Sequence, residues 1–244
     1  MKIFIDEGHN YSGVDTGACG NGIREQDISH AIGQRLGAML QSVGMTVMHS
    51  RPNLTDNVGR SLYESLKGRY SAANQFGADY YISLHCDSST AESAHGAHVC
   101  VYKKGTSSEK LAAAIVPELL SLGLSGRACT IVARPDLCVL KRTNMPAVLV
   151  EMGFISNSDD AAIQKDRQDE LAAAIFNGVC KFLGIKQANT ATVQNDISVY
   201  VCGKKTEIDA KLIDGKTYVP VRDVCEKLGH TVEWNAAERS VNVK

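Results

Sequence analysis

Short apolar runs and amphipathic helical stretches take turns along most of this 244-residue chain. "KIFI" comes first. "QDISHAIGQRLGAMLQSVG" follows, with Ile28, Ala31, Ile32, Leu36, Met39, Leu40 and Val43 at helical spacing and a stop at Gly44. "MTVMHS" reads as a strand. "SLYESLKGRYSAANQFG" reads as a helix with Leu62, Leu66, Ala73 and Phe76 on one face. "DYYISLH" and "AHVCVY" read as strands, and "SSEKLAAAIVPELLSLG" as a helix interrupted by Pro117. "PAVLVE" is a strand of the buried type. "DELAAAIFNGVCKFLG" is a closing helix that ends at Gly184. Strands alternating with helices predict an α/β fold, a mostly parallel open sheet flanked by helices, over residues 1–184.

The texture then changes. Residues 185–195, "IKQANTATVQN", are polar, small and aperiodic, so they read as a linker. Residues 196–244 hold short strands, an "IDGKT" turn, one short helix "RDVCEKLG" and a "WNAAERS" turn. This is a small C-terminal α+β domain with as many acids as bases. It is short for a free-standing core.

The net charge of −1 argues against nucleic acid as partner, since phosphate binding needs a basic surface. No apolar run approaches a membrane span, so membrane insertion is not expected. Met1 runs straight into the first strand, and "IFI" is too short for the apolar segment of a secretory signal. The chain is therefore expected to be made in the cytoplasm without a signal peptide. The eight cysteines are scattered, with no C-x-x-C pair, and read as buried free thiols in a reducing compartment.

In open α/β sheets, ligands bind beyond the carboxyl ends of the strands. His9 follows "IFIDEG", His85 ends "YYISLH" and Glu151 ends "PAVLVE". If these strands lie side by side and parallel, the three side chains meet on one rim. Glu25, at the start of the first helix, joins them there. Two histidines and a carboxylate form a set suited to a catalytic zinc ion, one ion with an open position. A second carboxylate would then move the proton. His9, Glu25 and His85 are the expected ligands and Glu151 the general base and acid, a kit for amide hydrolysis. The plain alternatives stand beside this. A histidine after a strand is commonly a loop residue, and an acid in a first helical turn is ordinary dipole complementation. His98 reads as a packed or rim residue, and His30 and His49 as ordinary element positions. Cys19 would suit a closed structural site better. Arg69 and Asn74 read as surface helix residues, with a role in pinning the loop beside the site left open.

Three blocks in order make the chain familiar. "IDEGHN…DTGA…REQDISHAIGQRL", "RYSAANQFGADYYISLHCDSS" and "LKRTNMPAVLVEMGFISNSDDAAI" resemble the zinc-dependent N-acetylmuramoyl-L-alanine amidases of the amidase-3 type. The resemblance implies His9, Glu25 and His85 as zinc ligands and Glu151 as the catalytic glutamate. It implies bacterial peptidoglycan as substrate, cut between the lactyl carbonyl of N-acetylmuramic acid and L-alanine. Two places depart from the family's pattern. The family often carries Pro and then Gly-Gly around the first histidine, where this chain has "DEGHNYSG". It commonly has "HAN" after the second ligand, where this chain has "HCD". Neither removes a ligand, but specificity for particular stem peptides does not carry over.

The tail is similar to the copper amine oxidase N-terminal-like module, on "IDGKTYVPVRDVCEKLG" and "VEW". Only His230, Cys202 and Cys225 are there to bind copper, so no copper site is expected. Wall binding and dimerisation stand level as its role, and the oligomeric state stays open. Tyr200, Tyr218, Arg222 and Trp234 are either its contact residues or its core. A wall hydrolase made in the cytosol resembles a phage or prophage endolysin that acts on the wall after release. A sporulation or wall-remodelling amidase, a zinc deacetylase acting on sugar N-acetyl groups, and a non-catalytic peptidoglycan-binding protein are the rivals.

Overall fold

The computed structural model describes residues 1–91, 93–185, 198–206, 208, 210–213, 216–235 and 240–244. Chain contacts divide it into two units, Met1–Ile185 and Lys186–Lys244. The expected linker lies almost wholly outside the described residues, as do the centres of the two turns expected in the tail.

In chain order the first unit holds β1 (Lys2–Glu7), β2 (Cys19–Gly20), β3 (Ile23–Arg24), α1 (Glu25–Ser42), β4 (Thr46–His49), α2 (Leu62–Phe76) and β5 (Tyr80–Asp87). It continues with β6 (His98–Val101), α3 (Ser107–Leu120), β7 (Ile131–Ala133), α4 (Cys138–Arg142), β8 (Ala147–Phe154), α5 (Ser158–Asp166) and α6 (Gln168–Leu183). Six strands form one sheet in the order β4-β1-β5-β8-β6-β7. β4, β1, β5 and β8 run parallel, while β6 runs antiparallel to β8 and carries β7 with it. The mostly parallel sheet expected from the alternation is present. The reversal of β6 is not something alternation encodes.

Side-chain period two divides the sheet into faces. Ile3, Ile5, Ile82, Leu84, Val148 and Val150 point to one side and pack with the buried stripe of α1 (Ile28, Ile32, Leu36, Leu40) and with α3 and α6. Phe4, Tyr81, Ala147 and Leu149 point to the other, under α2 and α4. The unit is thus a three-layer sandwich, and parallel strands buried on both faces explain the unbroken apolar runs.

Three expectations need correction. α3 runs unbroken through Pro117. Proline removes the bond to the carbonyl four residues back, but Ala113 and Pro117 are both exposed, so water can serve that carbonyl. Leu111, Ile115 and Leu119 anchor both halves in the core. Leu62 is not on the inward face of α2; it is 57% exposed, one residue past the Ser61 cap. Among the described residues no two cysteines form a disulfide, but Cys19, Cys129 and Cys202 are exposed and only Cys86, Cys100 and Cys180 are buried. Among the described residues, no helix is long and apolar enough to cross a membrane.

The second unit, described by itself, contains β9 (Val199–Val201), β10 (Lys204–Thr206), β11 (Lys211–Ile213), β12 (Lys216–Tyr218), α7 (Val221–Lys227), β13 (Val232–Asn235) and β14 (Ser240–Val243). Consecutive strands pair as antiparallel hairpins. Tyr200, Tyr218 and Trp234 are exposed rather than core. Arg222 is also exposed, and its guanidinium donates to the Val232 carbonyl at 2.7 Å.

Candidate active site

The sheet register sets the site. Glu7 pairs with Leu84, so the next residue, Gly8, comes level with His85. His85 pairs with Glu151, and Glu151 with His98. One row at the carboxyl rim of the parallel strands therefore reads Gly8, His85, Glu151, His98. The glycine is required there. A Cβ at Gly8 would fall 2.4 Å from Cε1 of His85. Gly17 plays the same part from the other side, where a Cβ would lie 2.8 Å from the Glu25 side chain and 2.9 Å from the His9 ring.

His9 leaves β1 with φ of 68°, the left-handed region that side chains rarely adopt. Its backbone is fixed by Arg69, whose Nη2 donates to the His9 carbonyl at 2.5 Å. Asn10 N donates to the Asp15 carbonyl at 2.8 Å. This turn aims the imidazole back across the rim. Nε2 of His9 stands 3.0 Å from Oε1 of Glu25, and Nδ1 of His85 stands 3.0 Å from the same oxygen. Suitable donor atoms of His9, Glu25 and His85 lie within 4.8 Å of one another, the only such group of metal-binding side chains among the described residues.

The arrangement fits a metal ion. Two imidazoles and a carboxylate form a nitrogen and oxygen donor set, and His9 and Glu25 are oriented from behind. His9 Nδ1 lies 3.3 Å from Oδ1 of Asp15, and Asp15 in turn accepts from Ser65 Oγ at 2.5 Å. Glu25 accepts from the backbone N–H of Ala18 at 2.9 Å and of Cys86 at 3.0 Å. Burial alone would raise the Glu25 carboxyl, but hydrogen bonds and charge from His85 and His9 hold it well below the usual carboxylate range. Burial would likewise lower His9, yet Asp15 and Glu25 pull it up to about 9. The site thus favours positive charge at the point where the three side chains meet. Cys19 is not in the cluster.

Glu151 stands beside this cluster without joining it. Its side chain is buried and Oε2 has no hydrogen-bond partner among the described residues. Burial first, then the charges of Glu25 and Asp87, push its pKa up to about 7 against the opposing pull of His85 and His9. A carboxyl poised near neutrality suits proton transfer in both directions.

The two acids before His9 do other work. Asp6 accepts from Arg69 Nη1 at 2.7 Å, Tyr81 Oη at 2.6 Å and Ser83 Oγ at 2.8 Å. Burial opposes its charge, but Arg69 and these bonds lower its pKa to about 2. Glu7 is held by His49 Nδ1 at 2.5 Å, Ser50 Oγ at 3.0 Å and the Arg51 amide at 3.1 Å. Arg69, read from the sequence as a surface residue, is buried and is the strut of the site. It reaches the carbonyls of Glu7 and His9 and the side chains of Asp6 and Asn10. Asn74 bridges α2 to the segment before β8 through the Arg142 carbonyl and the Asn144 amide. A cavity of about 250 Å³ opens beside His9 and His85, walled by Leu66, Leu137, Val139 and Leu149.

Residues 3–181 match the family model described as N-acetylmuramoyl-L-alanine amidase. The chain belongs to that family. Residues 200–244 match the copper amine oxidase N-terminal domain. Among relatives, the N-acetylmuramoyl-L-alanine amidase LytC of Bacillus subtilis is 32% identical over 185 residues, 74% of this chain and 35% of that protein. This chain thus spans about a third of LytC. The endolysin of Bacillus phage SPP1 is 29% identical over 76% of this chain and 67% of its own length. Among solved structures, the CwlD amidase from Clostridioides difficile, determined in complex with the GerS lipoprotein, superposes with a TM-score of 0.69 at 27% identity. That match covers 76% of this chain and 99% of the other.

Proposed function

We propose that this amidase-family chain binds one zinc ion and hydrolyses the amide between N-acetylmuramic acid and L-alanine in bacterial peptidoglycan. The observation that carries it is Glu151, buried and unpartnered at Oε2, next in register to the His9–Glu25–His85 cluster. His9, Glu25 and His85 would hold the ion. When bound, zinc supplies polarisation of the carbonyl and a lowered water pKa. Glu151 takes a proton from the attacking water and returns it to the amide nitrogen as the bond breaks. Asp15 and the Ala18 and Cys86 amides keep the ligands in place. Asp6 and Arg69 hold the turn that carries His9.

Mass spectrometry of digested walls tests this. Zinc-loaded protein should release stem peptides with free L-Ala amino termini, and Glu151→Gln should release them about 10²–10⁴-fold more slowly. Chelation should stop release, and zinc should restore it. Acetate in place of stem peptides would make the chain a deacetylase. Pelleting with walls and no product would make it a binding protein.

The biological setting we propose is lysis from within, as an endolysin made in the cytoplasm that reaches the wall once the membrane is opened. Similarity to the SPP1 endolysin and cysteines that form no disulfide among the described residues support it. Expression in a Gram-positive host should leave cells intact until the membrane is permeabilised, and then clear the culture. Digestion of spore cortex but not of vegetative walls would replace this setting with sporulation.

A further inference from the structure

His98 is the buried side chain that the mechanism leaves unused. It is 5% exposed and is the register partner of Glu151 on β6. Its Nδ1 has no hydrogen-bond partner among the described residues, and neither has Oε2 of Glu151. Two orphaned polar atoms on one cross-strand pair call for a shared partner, because buried polar groups in folded proteins are almost always satisfied. Residues opposite one another place their Cβ atoms about 4.5–5.5 Å apart, so the two side chains lie side by side on one face of the sheet. Asp87 does not fill the need. Its Oδ2 stands 3.9 Å from His98 Nδ1 and is taken by Arg127 at 3.1 Å.

The chemistry of the missing partner follows from these two atoms. Burial, then the charges of Arg127 and Arg134, push His98 down to about 4, so the imidazole is neutral. A neutral ring with its proton on Nε2 presents Nδ1 as an acceptor. An ionised Glu151 is an acceptor too. The pair wants a group with two N–H donors. An amide nitrogen gains its second N–H when the amide is cut.

We propose that His98 Nδ1 and Glu151 Oε2 together receive the amine leaving group, the freed amino terminus of the stem peptide. The proposal rests on the amidase reading above. In the step itself, the water oxygen bonds to the carbonyl carbon and Glu151 takes one water proton. The C–N bond breaks with its electron pair going to nitrogen, and Glu151 gives that proton to nitrogen. The products are a carboxyl group and a primary amine. One amine N–H then faces Glu151 and the other His98. β8 and β7 flank β6 on either side, so His98 is held on a rigid element.

The test compares wild type with His98→Leu and His98→Asn. Asparagine can set an oxygen near the place of Nδ1; leucine cannot accept. One readout is calorimetric binding of an L-alanyl stem peptide against the same peptide N-acetylated. The other is kcat and KM on a soluble muramoyl peptide. Wild type should prefer the free amine by about tenfold, the worth of one good hydrogen bond to a desolvated group. His98→Leu should erase that preference and lower kcat by about tenfold with KM little changed, and His98→Asn should recover most of both. If leucine keeps the preference and the rate, or if asparagine falls as far as leucine, His98 is only packing and the proposal is overturned. If wild type frees no amine at all, the amidase reading fails and this falls with it. Turnover by wild type with no dependence on His98 fells this proposal alone.

Discussion

At the scale of single residues, the site depends on atoms that are absent as much as on those present. Gly8 shows it. The His85 ring lies where a Cβ would be, 2.4 Å away. Gly8→Ala must therefore push the ring or bend β1, and either displaces one of three candidate ligands. The expected outcome is a folded protein whose zinc affinity falls by about 10–100-fold, the usual cost of disturbing what orients a ligand. Zinc titration by calorimetry beside a thermal melt would read both. Unchanged affinity would mean that His85 is not a ligand in the position assigned to it. His9 makes the same point from the backbone. Its left-handed φ persists because Arg69 and the Asn10–Asp15 bond hold the turn around it.

At the scale of elements, β1, β5 and α2 are pinned by one buried ion pair. Asp6 on β1 takes Arg69 from α2 and Tyr81 and Ser83 from β5. The sign of its pH dependence follows from a pKa lowered from 3.8 to about 2. The pair contributes stability that is fully present above the unfolded value, and it is lost as pH falls from about 4 through about 2. The titrating part is about 2 kcal/mol. Asp6→Asn leaves buried Arg69 with only the more distant Asp15, at 4.0 Å, as charge partner, so it should cost about 3–5 kcal/mol at neutral pH. Urea unfolding should show that gap shrinking by about 2 kcal/mol below pH 2. A gap constant with pH would show that Asp6 is not ionised in the fold. The same elements mark what a sequence can disclose. His9, His85 and Glu151 were legible because each ends an apolar strand run, and the carboxyl rim of a parallel sheet is where such side chains gather. Glu25 was legible as the first residue of an amphipathic helix. Arg69 was not, since helical periodicity reads an arginine as outward unless its buried partner is known, and that partner lies on another element. Asp6 and Glu7 come just before His9 in the sequence, but strand alternation turns them to opposite faces, one towards Arg69, Tyr81 and Ser83 and the other towards His49, Ser50 and Arg51. The reversal of β6, which brings His98 against Glu151, depends on strand direction, and hydrophobic period carries no direction.

At the scale of the whole molecule, the question is what the second unit adds. Every residue of the site lies within Met1–Ile185, and so does the hydrophobic cluster behind it. Chemistry on a small soluble substrate should therefore not need the tail. The second unit exposes Tyr200, Tyr218 and Trp234, amphipathic rings of the kind that recognition surfaces use. A chain ending at Ile185 should keep its melting transition and its kcat on a soluble muramoyl peptide to within about twofold, since only lost contacts to the reacting atoms lower kcat. Its action on insoluble walls should fall further, because tethering raises the local concentration of enzyme at a surface without any new contact at the site. The ratio of the two activities, measured on the full and shortened chains, isolates the tail from the catalytic unit. If the ratio is unchanged while sedimentation shows the full chain as a dimer and the short one as a monomer, the tail is an assembly module. If the ratio drops and both sediment as monomers, the tail holds the enzyme to the wall, and Trp234→Ala in the full chain should reproduce part of the loss.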